Sequence, residues 1–457
     1  MKRSIAWVLS LIILTALVLS GCQSGAPQTV SSMPSSAAPE ESSQVAPAYD
    51  PKAYAGTELV FSCLDTANYK KLDNLLPTLE EETGIKLTID YIPENAYMTK
   101  LQVVLASQTG EYDACYANNK MYPELFPSGW IEPLDAYLSD SSKTDPTYKY
   151  EDFVPKIAQS IMFENQIMGI PFGTESSILY YNKQMFEAAG LTEAPKTMQD
   201  VYDYAKKLTD PAKGIAGIAM LGTREGNVNG YGWIMQWLAM GGTWTPEGKE
   251  PYTVLADEAA IKTTEMWTDM LTNYGPQGIS NYGWNELYLS MQQEKVAMVI
   301  ATTKDYPLFV DPSKSKIGDH LGYACIQGEG NDYTVGNIAA WLMPKSGKNK
   351  DAAWAAIQYL TSEKSQLRQV NEKDSVDITR QSVIDSEVFG SKYNPEWAAA
   401  SKEAYAHGAV QYTPLIAQGG QIREYLAIAL SKCLSGQATP KDAMTEANEN
   451  VKKLLAD

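Results

Sequence analysis

Several stretches of the chain place polar and aromatic side chains where runs of β-branched, aliphatic and aromatic residues begin or end. Asp65 follows the run ELVFSC. Tyr116, Asn118 and Asn119 come at the end of YDACYANN, and Glu175 stands alone just before SILYY. Arg224 and Asn227 sit in the Gly-containing loop TREGNVNG, ahead of a segment with Trp233; Trp284 and Asn285 lie in NYGWNE. Trp341 closes the run NIAAW, and Arg380 falls in DITRQSV. Carboxylates, amides and guanidinium groups hydrogen-bond ligand hydroxyls, and flat rings cover C–H faces. Each residue also has a plainer reading. Asp65 can cap the helix after it, and Trp233 and Trp237, four apart, can share a packed helix face. Arg380 can form a salt bridge within the fold.

Bond-breaking chemistry finds little support. The chain has two histidines, His320 and His407, far apart and outside any motif. No nucleophile elbow, HExxH or phosphate-binding loop is present, so neither a catalytic triad nor an ATPase is expected. No calcium-loop spacing, CxxC or Cys/His pair occurs, so no metal and no cofactor are expected. The alternative from another class is a secreted glycoside-active enzyme. It requires two carboxylates flanking a bond, and the abundance of acidic residues alone does not discriminate. The net charge of −18 and the absence of a basic run argue against nucleic acid.

The elements that must hold these residues are legible from period and punctuation. Glu58–Cys63, Lys86–Tyr91 and Tyr112–Tyr116 read as strands, with helices over 68–82 and 96–108 between them, the pattern of parallel βαβ units. Ligands in such sheets bind at the carboxyl ends of strands. Ser177–Tyr181 reads as a further buried strand. Asn182 can cap a short helix ended by Gly190, and Thr197 with Asp200 forms a capping-box-like start for the next helix. Helices are expected near 257–273, 285–293, 351–360, 362–370 and 418–435. A last one has Thr439 as cap and Pro440 in first position.

PFGTESSILYYNKQMF followed by APKTMQD resembles the family 1 extracellular solute-binding proteins, the carbohydrate receptors of ABC importers. ELVFSCLDTANYKKL with ETGIKLTIDYI, and YDACYANNKMYPELFPSGWIEPLDAYL, resemble the same family. NYGWNELYLSMQQEKVAM through DPSKSKIGDHLGYA is similar to its sorbitol/mannitol-binding branch, from which the chain departs at Ile300–Asp305. The resemblance implies an α/β, type II periplasmic-binding-protein-like fold of two lobes. Each lobe would be a mixed, mainly parallel sheet flanked by helices, with a hinge between. Lobe 1 would be 56–171 plus 341–373 and lobe 2 would be 173–335 plus 376–457, with crossings near 170–174, 334–341 and 372–380. It further implies that Asp65, Tyr116, Asn119 and Glu175 contact a sugar, oligosaccharide or sugar alcohol, and that a membrane permease receives it from a monomeric receptor.

The amino terminus fits that picture. Lys2 and Arg3 precede an apolar run, Ile5–Leu19, too short for a comfortable membrane span. Leu19-Ser20-Gly21-Cys22 looks like a bacterial lipobox, implying a leader over 1–21, diacylglycerol on Cys22 and a membrane-anchored extracytoplasmic protein. Residues 22–55, rich in Ser, Ala and Pro, form a flexible tether. About 400 residues remain, enough for two lobes. Cys63, Cys115, Cys325 and Cys433 read as buried thiols, with a Cys63–Cys115 disulfide left open.

Overall fold

The computed structural model describes residues 48–328, 330, 332–372 and 377–456. The leader, Cys22, most of the tether and part of the third expected crossing lie outside the described residues. Strand β1 (Glu58–Leu64) buries Leu59, Phe61, Cys63 and Leu64, and β2 (Lys86–Ile92) alternates, burying Leu87, Ile89 and Ile92. The segment between them is not one helix. Tyr69–Leu75 winds as a 3₁₀ helix, and α1 (Leu76–Thr83) begins only where Pro77 fits its first turn. An uninterrupted α-helix would press the proline ring onto the carbonyl four residues back and lose a hydrogen bond. Gly84, at φ 73°, ends α1. Helix α2 (Glu94–Ser107) returns the chain to β3 (Ala114–Asn118), buried throughout.

Apart from a short antiparallel hairpin of Met162–Phe163 with Gln166–Ile167, the remaining strands are β4 (Ile170–Glu175), β5 (Ser177–Asn182), β6 (Met298–Thr302), β7 (Leu321–Ala324), β8 (Thr334–Val335), β9 (Asn337–Leu342) and β10 (Gly408–Ala409). Two main sheets result. The first is β2-β1-β3-β9-β4, with β1 parallel to β2 and β3, and β9 antiparallel to β3 and β4. The second is β6-β5-β7, antiparallel throughout. Among the described residues, parallel pairing reaches this sheet only through the bridges Ala216–Val296 and Ala219–Val299.

Chain passage between the sheets is abrupt. Only Ser176 separates β4 from β5, and only Gly336 separates β8 from β9. Ser176 Oγ donates to the carbonyls of Val335 and Ala404, so the two passages are tied side by side. A Cβ on Gly336 would lie 2.7 Å from the Ala409 carbonyl oxygen, which explains the glycine.

Helices flank the second sheet. In α3 (Lys183–Ala188) the Asn182 side chain accepts from Met185 N, and in α4 (Met198–Leu208) Thr197 and Asp200 form the capping box. Helix α5 (Val228–Ala239) is buried on nearly every face, as its all-round apolarity requires. Helices α6 (Glu258–Tyr274), α7 (Trp284–Gln292), α8 (Lys350–Thr361), α9 (Gly419–Leu434) and α10 (Pro440–Ala456) follow, of which α8 packs on β4 of the first sheet.

All four described cysteines are free and buried. Cys115 pairs in register with Ser62, so Cys63, one residue on, projects from the opposite face of the sheet and cannot reach it.

Candidate functional site

A cavity of about 250 Å³ opens where the two sheets come together. From the first sheet it takes Thr66 and Tyr69 beyond β1, and Tyr116, Asn118 and Lys120 at the carboxyl end of β3. Glu175 and Asn337 come from the passages between sheets, the last residue of β4 and the first of β9. From the second sheet come Thr302, Lys304 and Asp305 at the end of β6. Tyr231 of α5, Trp284 and Tyr288 of α7, Tyr412 and Arg423 complete that side. Strand ends supply most of the polar lining because a strand's terminal residues have left the ladder while their backbone remains rigid.

Glu175 is the hub. Its Oε1 accepts from Asn337 Nδ2 at 2.8 Å and from the Tyr231 hydroxyl at 3.4 Å, and Oε2 lies 3.3 Å from Lys304 Nζ. Burial pushes this carboxyl up, but Lys304, Asn337 and Lys120 together outweigh it and hold Glu175 below the ordinary carboxylate value. Reciprocally, the charge of Glu175 raises Lys304 well above a normal lysine, against the effect of its own burial. The ammonium also faces the Tyr69 ring, 5.8 Å from its centroid.

Asp305 turns the chain after β6. Its Oδ2 accepts from Thr302 N and Thr302 Oγ1, and its Oδ1 accepts from the Tyr288 hydroxyl at 2.8 Å. Burial nevertheless pushes its carboxyl up to about 6. Lys120 retains accessible surface, yet its surroundings are crowded. That crowding first, and then Arg423, holds its ammonium below lysine's ordinary value.

Two aromatic walls flank these groups. Tyr69 and Tyr116 meet at 5.2 Å between ring centroids, and Phe172 backs both. Opposite, Tyr231 contacts Trp284 at 5.6 Å and Tyr412 at 5.8 Å, and Trp284 stacks on Tyr288 at 5.9 Å. Polar groups between apolar rings fit a ligand with hydroxyls on its edge and C–H faces above and below.

Of the residues singled out from sequence, Tyr116, Asn118, Glu175 and Trp284 come together on this lining. The others stand elsewhere, each for a visible reason. Asp65 is exposed and pairs with Lys70 at 2.6 Å, while its neighbours Leu64 and Thr66 face the cavity. Asn119 is buried, donating to the Gly336 carbonyl and accepting from Ile338 N, so it braces β9. Arg224 is exposed and paired with Glu424. Asn227, at φ 59°, forms the turn between Gly226 and Val228, which do line the cavity. Trp233 is core: it stacks on Trp237 at 5.1 Å and donates to Thr264 Oγ1. Asn285 is exposed in the first turn of α7. Trp341 is fully buried and stacks on Phe172 at 4.4 Å, supporting the Tyr116 wall from behind. Arg380 is 1% exposed; it donates to the carbonyls of Thr361 and Lys149, pairs with Asp152, and lies against Tyr148 and Phe153.

Lys120, Lys304, Asp305, Asn337, Tyr412 and Arg423 were not anticipated. Lys120 closes the YANNK run, and Lys304 and Asp305 lie in the very segment that departs from the sorbitol/mannitol-binding branch, so those three had a signal. Tyr412 and Arg423 had none, because only tertiary packing brings residues beyond 400 to this cavity.

Residues 65–367 match the bacterial extracellular solute-binding protein family, and the chain belongs to it: a binding protein, not an enzyme. It is 27% identical over 361 residues to the erythritol/L-threitol-binding protein of Mycolicibacterium smegmatis, covering 76% of each chain. It is 26% identical over 310 residues to the mannitol-binding protein of Pseudomonas aeruginosa, covering 65% of this chain and 67% of that one. An ABC transporter solute-binding protein of Thermotoga lettingae, solved with α-D-tagatose, superposes with a TM-score of 0.72 at 26% identity, over 87% of this chain and 100% of that one. A ribitol-bound solute-binding protein of Agrobacterium radiobacter superposes with a TM-score of 0.74 at 24% identity, over 88% and 99%, a likeness of fold. The two-lobe, type II periplasmic-binding-protein fold is thereby established.

Proposed function

We propose that this chain captures a single-ring sugar or short polyol in the cavity around Glu175 and delivers it to an ABC permease. The carrying observation is the meeting, in one cavity, of Glu175, Lys304, Asn118 and Lys120 between the Tyr69–Tyr116 and Tyr231–Trp284 walls. Its volume of about 250 Å³ lies below the range of drug-sized pockets, which favours one ring or an open chain over an oligosaccharide. The erythritol-, threitol- and mannitol-binding relatives support the same class. Lobes of 56–171 plus 341–373 and 173–335 plus 376–457 would close on the ligand, since contacts from both favour the closed state. The monomeric body would be held at the membrane through a lipidated Cys22 and the tether over 22–55. Asn118, Tyr116, Glu175 and Trp284 are its ligand contacts, joined by Lys120, Lys304, Asn337 and Arg423.

A thermal-shift panel of alditols, monosaccharides and maltose-type oligomers tests this. A ligand at about 100 times its dissociation constant stabilises by about 2.7 kcal/mol. Stabilisation by monosaccharides or alditols and not by longer oligomers is expected; a flat response to every carbohydrate would overturn the reading.

A further inference from the structure

The hydrogen-bonding capacity of the cavity is unevenly used. Each oxygen of its two buried carboxylates already accepts from the protein: Glu175 from Asn337, Tyr231 and Lys304, and Asp305 from Thr302 and Tyr288. The amides are engaged too. Asn118 Nδ2 donates to the Tyr116 hydroxyl and its Oδ1 accepts from Lys120 N, while Asn337 Oδ1 accepts from the Tyr412 hydroxyl. Two cations on the lining have no direct partner. Among the described residues neither the Lys120 ammonium nor the Arg423 guanidinium has an ion-pair partner or a side-chain hydrogen bond.

These two reach the cavity from opposite sides. Lys120 lies two residues beyond β3 of the first sheet, and Arg423 lies on α9, which packs against α5 and α10. Arg423 lowers and Glu94 and Glu175 raise the exposed Lys120 ammonium, and Lys120 and Arg423 face one shared opening. The remaining acid on the lining, Glu94, is exposed in the first turn of α2. The helix N-terminus draws on its charge there, and it makes no ion pair with Lys120. A neutral ligand would leave both cations without a direct partner. An anion between them would accept charge-assisted hydrogen bonds from both.

Resting on the carbohydrate reading above, we infer that the ligand is an acidic one: a sugar or polyol of single-ring size bearing a carboxylate or phosphate held between Lys120 and Arg423. Aldonic acids, uronic acids and sugar phosphates are the matching classes.

Calorimetric titration of the full chain against matched pairs tests it: ribitol against ribonate, sorbitol against gluconate, galactose against galacturonate, and glucose against glucose 6-phosphate. The acidic member of at least one pair should bind about tenfold or more tightly than its neutral partner, the increment of a hydrogen bond to a charged group. Preference in the first three pairs assigns a carboxylate, and preference in the last assigns a phosphate. Lys120→Gln and Arg423→Gln should each abolish that preference without lowering the melting temperature of the ligand-free protein. Neutral members binding as tightly as acidic ones in every pair would overturn the inference and leave the carbohydrate reading standing. So would a preference that survives both substitutions, or an equal loss of neutral and acidic binding. Binding of neither member of any pair would overturn the inference, and the wider carbohydrate panel above would then decide the reading on which it rests.

Discussion

Replacing Lys304 by Met removes the ammonium 3.3 Å from Glu175 and keeps most of the aliphatic stem. Glu175 would retain the Asn337 and Tyr231 hydrogen bonds but lose its ion pair. In the native protein Glu175 titrates below its ordinary value, because Lys304, Asn337 and Lys120 overcome its burial. A depressed folded-state carboxyl contributes stability that is full above the unfolded pKa and is lost as pH falls through the folded one. Without Lys304 the first of the groups that oppose burial is gone and the folded pKa rises. Ionised Glu175 then contributes less stability than in the native protein, and the difference widens as pH rises. Breaking a fully buried pair costs about 3–5 kcal/mol. Here the Lys304 side chain is 36% exposed and that of Glu175 15%. Screening through the cavity therefore reduces the expected penalty to roughly 1–3 kcal/mol near neutral pH. Urea denaturation of the native protein, Lys304→Met, Glu175→Gln and the double variant, at about pH 7 and about pH 4, measures it. The Lys304→Met penalty should shrink toward the acid end, as the carboxyl freed from Lys304 takes up a proton, and the double variant should recover most of it. An equal penalty at both pH values, or a double variant no more stable than Lys304→Met, would refute the reasoning.

Further outcomes follow from the same geometry. The Asp305 carboxyl should titrate at about 6 by ¹³C NMR. Because that value is raised, its contribution is fully favourable only below the unfolded pKa of about 3.8 and declines as pH climbs to about 6; a midpoint near the unfolded value would contradict the burial argument. The two tryptophans should separate. Trp341→Ala, in the core behind Phe172, should lose about 3–5 kcal/mol of stability in denaturant titration. Trp284→Ala, on the cavity wall, should weaken carbohydrate binding about tenfold in calorimetry, consistent with the loss of roughly 1–2 kcal/mol of ring contact; the reverse pattern would exchange their roles. Gly336→Ala should cost about 1–3 kcal/mol, since its Cβ would meet the Ala409 carbonyl at 2.7 Å. An unchanged denaturation midpoint would mean that the passage between the sheets adjusts without strain.

What could be read before folding was whatever depends on near neighbours. Asn182 caps α3 and Thr197 with Asp200 caps α4 because a cap joins residues two to four apart. The alternation in Lys86–Ile92 marked β2 for the same reason. Pro77 carried the break between the 3₁₀ turn and α1, although Leu72, Leu75, Leu76 and Leu79, at helical spacing across it, concealed that signal. Glu175 was conspicuous as a lone carboxylate just before a buried strand. Trp233, Trp341 and Arg380 show the opposite case: their residue types suit ligand contact equally well, and only the packing around each decides against it. Tyr412 and Arg423 reach the cavity through helices packed late in the chain, a placement no local pattern encodes.

The amino-acid sequence by itself determined the class of fold, the family and the region around Glu175, because hydrophobic period, capping and motif are short-range properties. Tertiary structure alone decided which polar side chains face one another. Whether a carboxylate is occupied by Lys304, or a cation such as Lys120 is left without a counter-ion, depends on groups more than a hundred residues away in the chain.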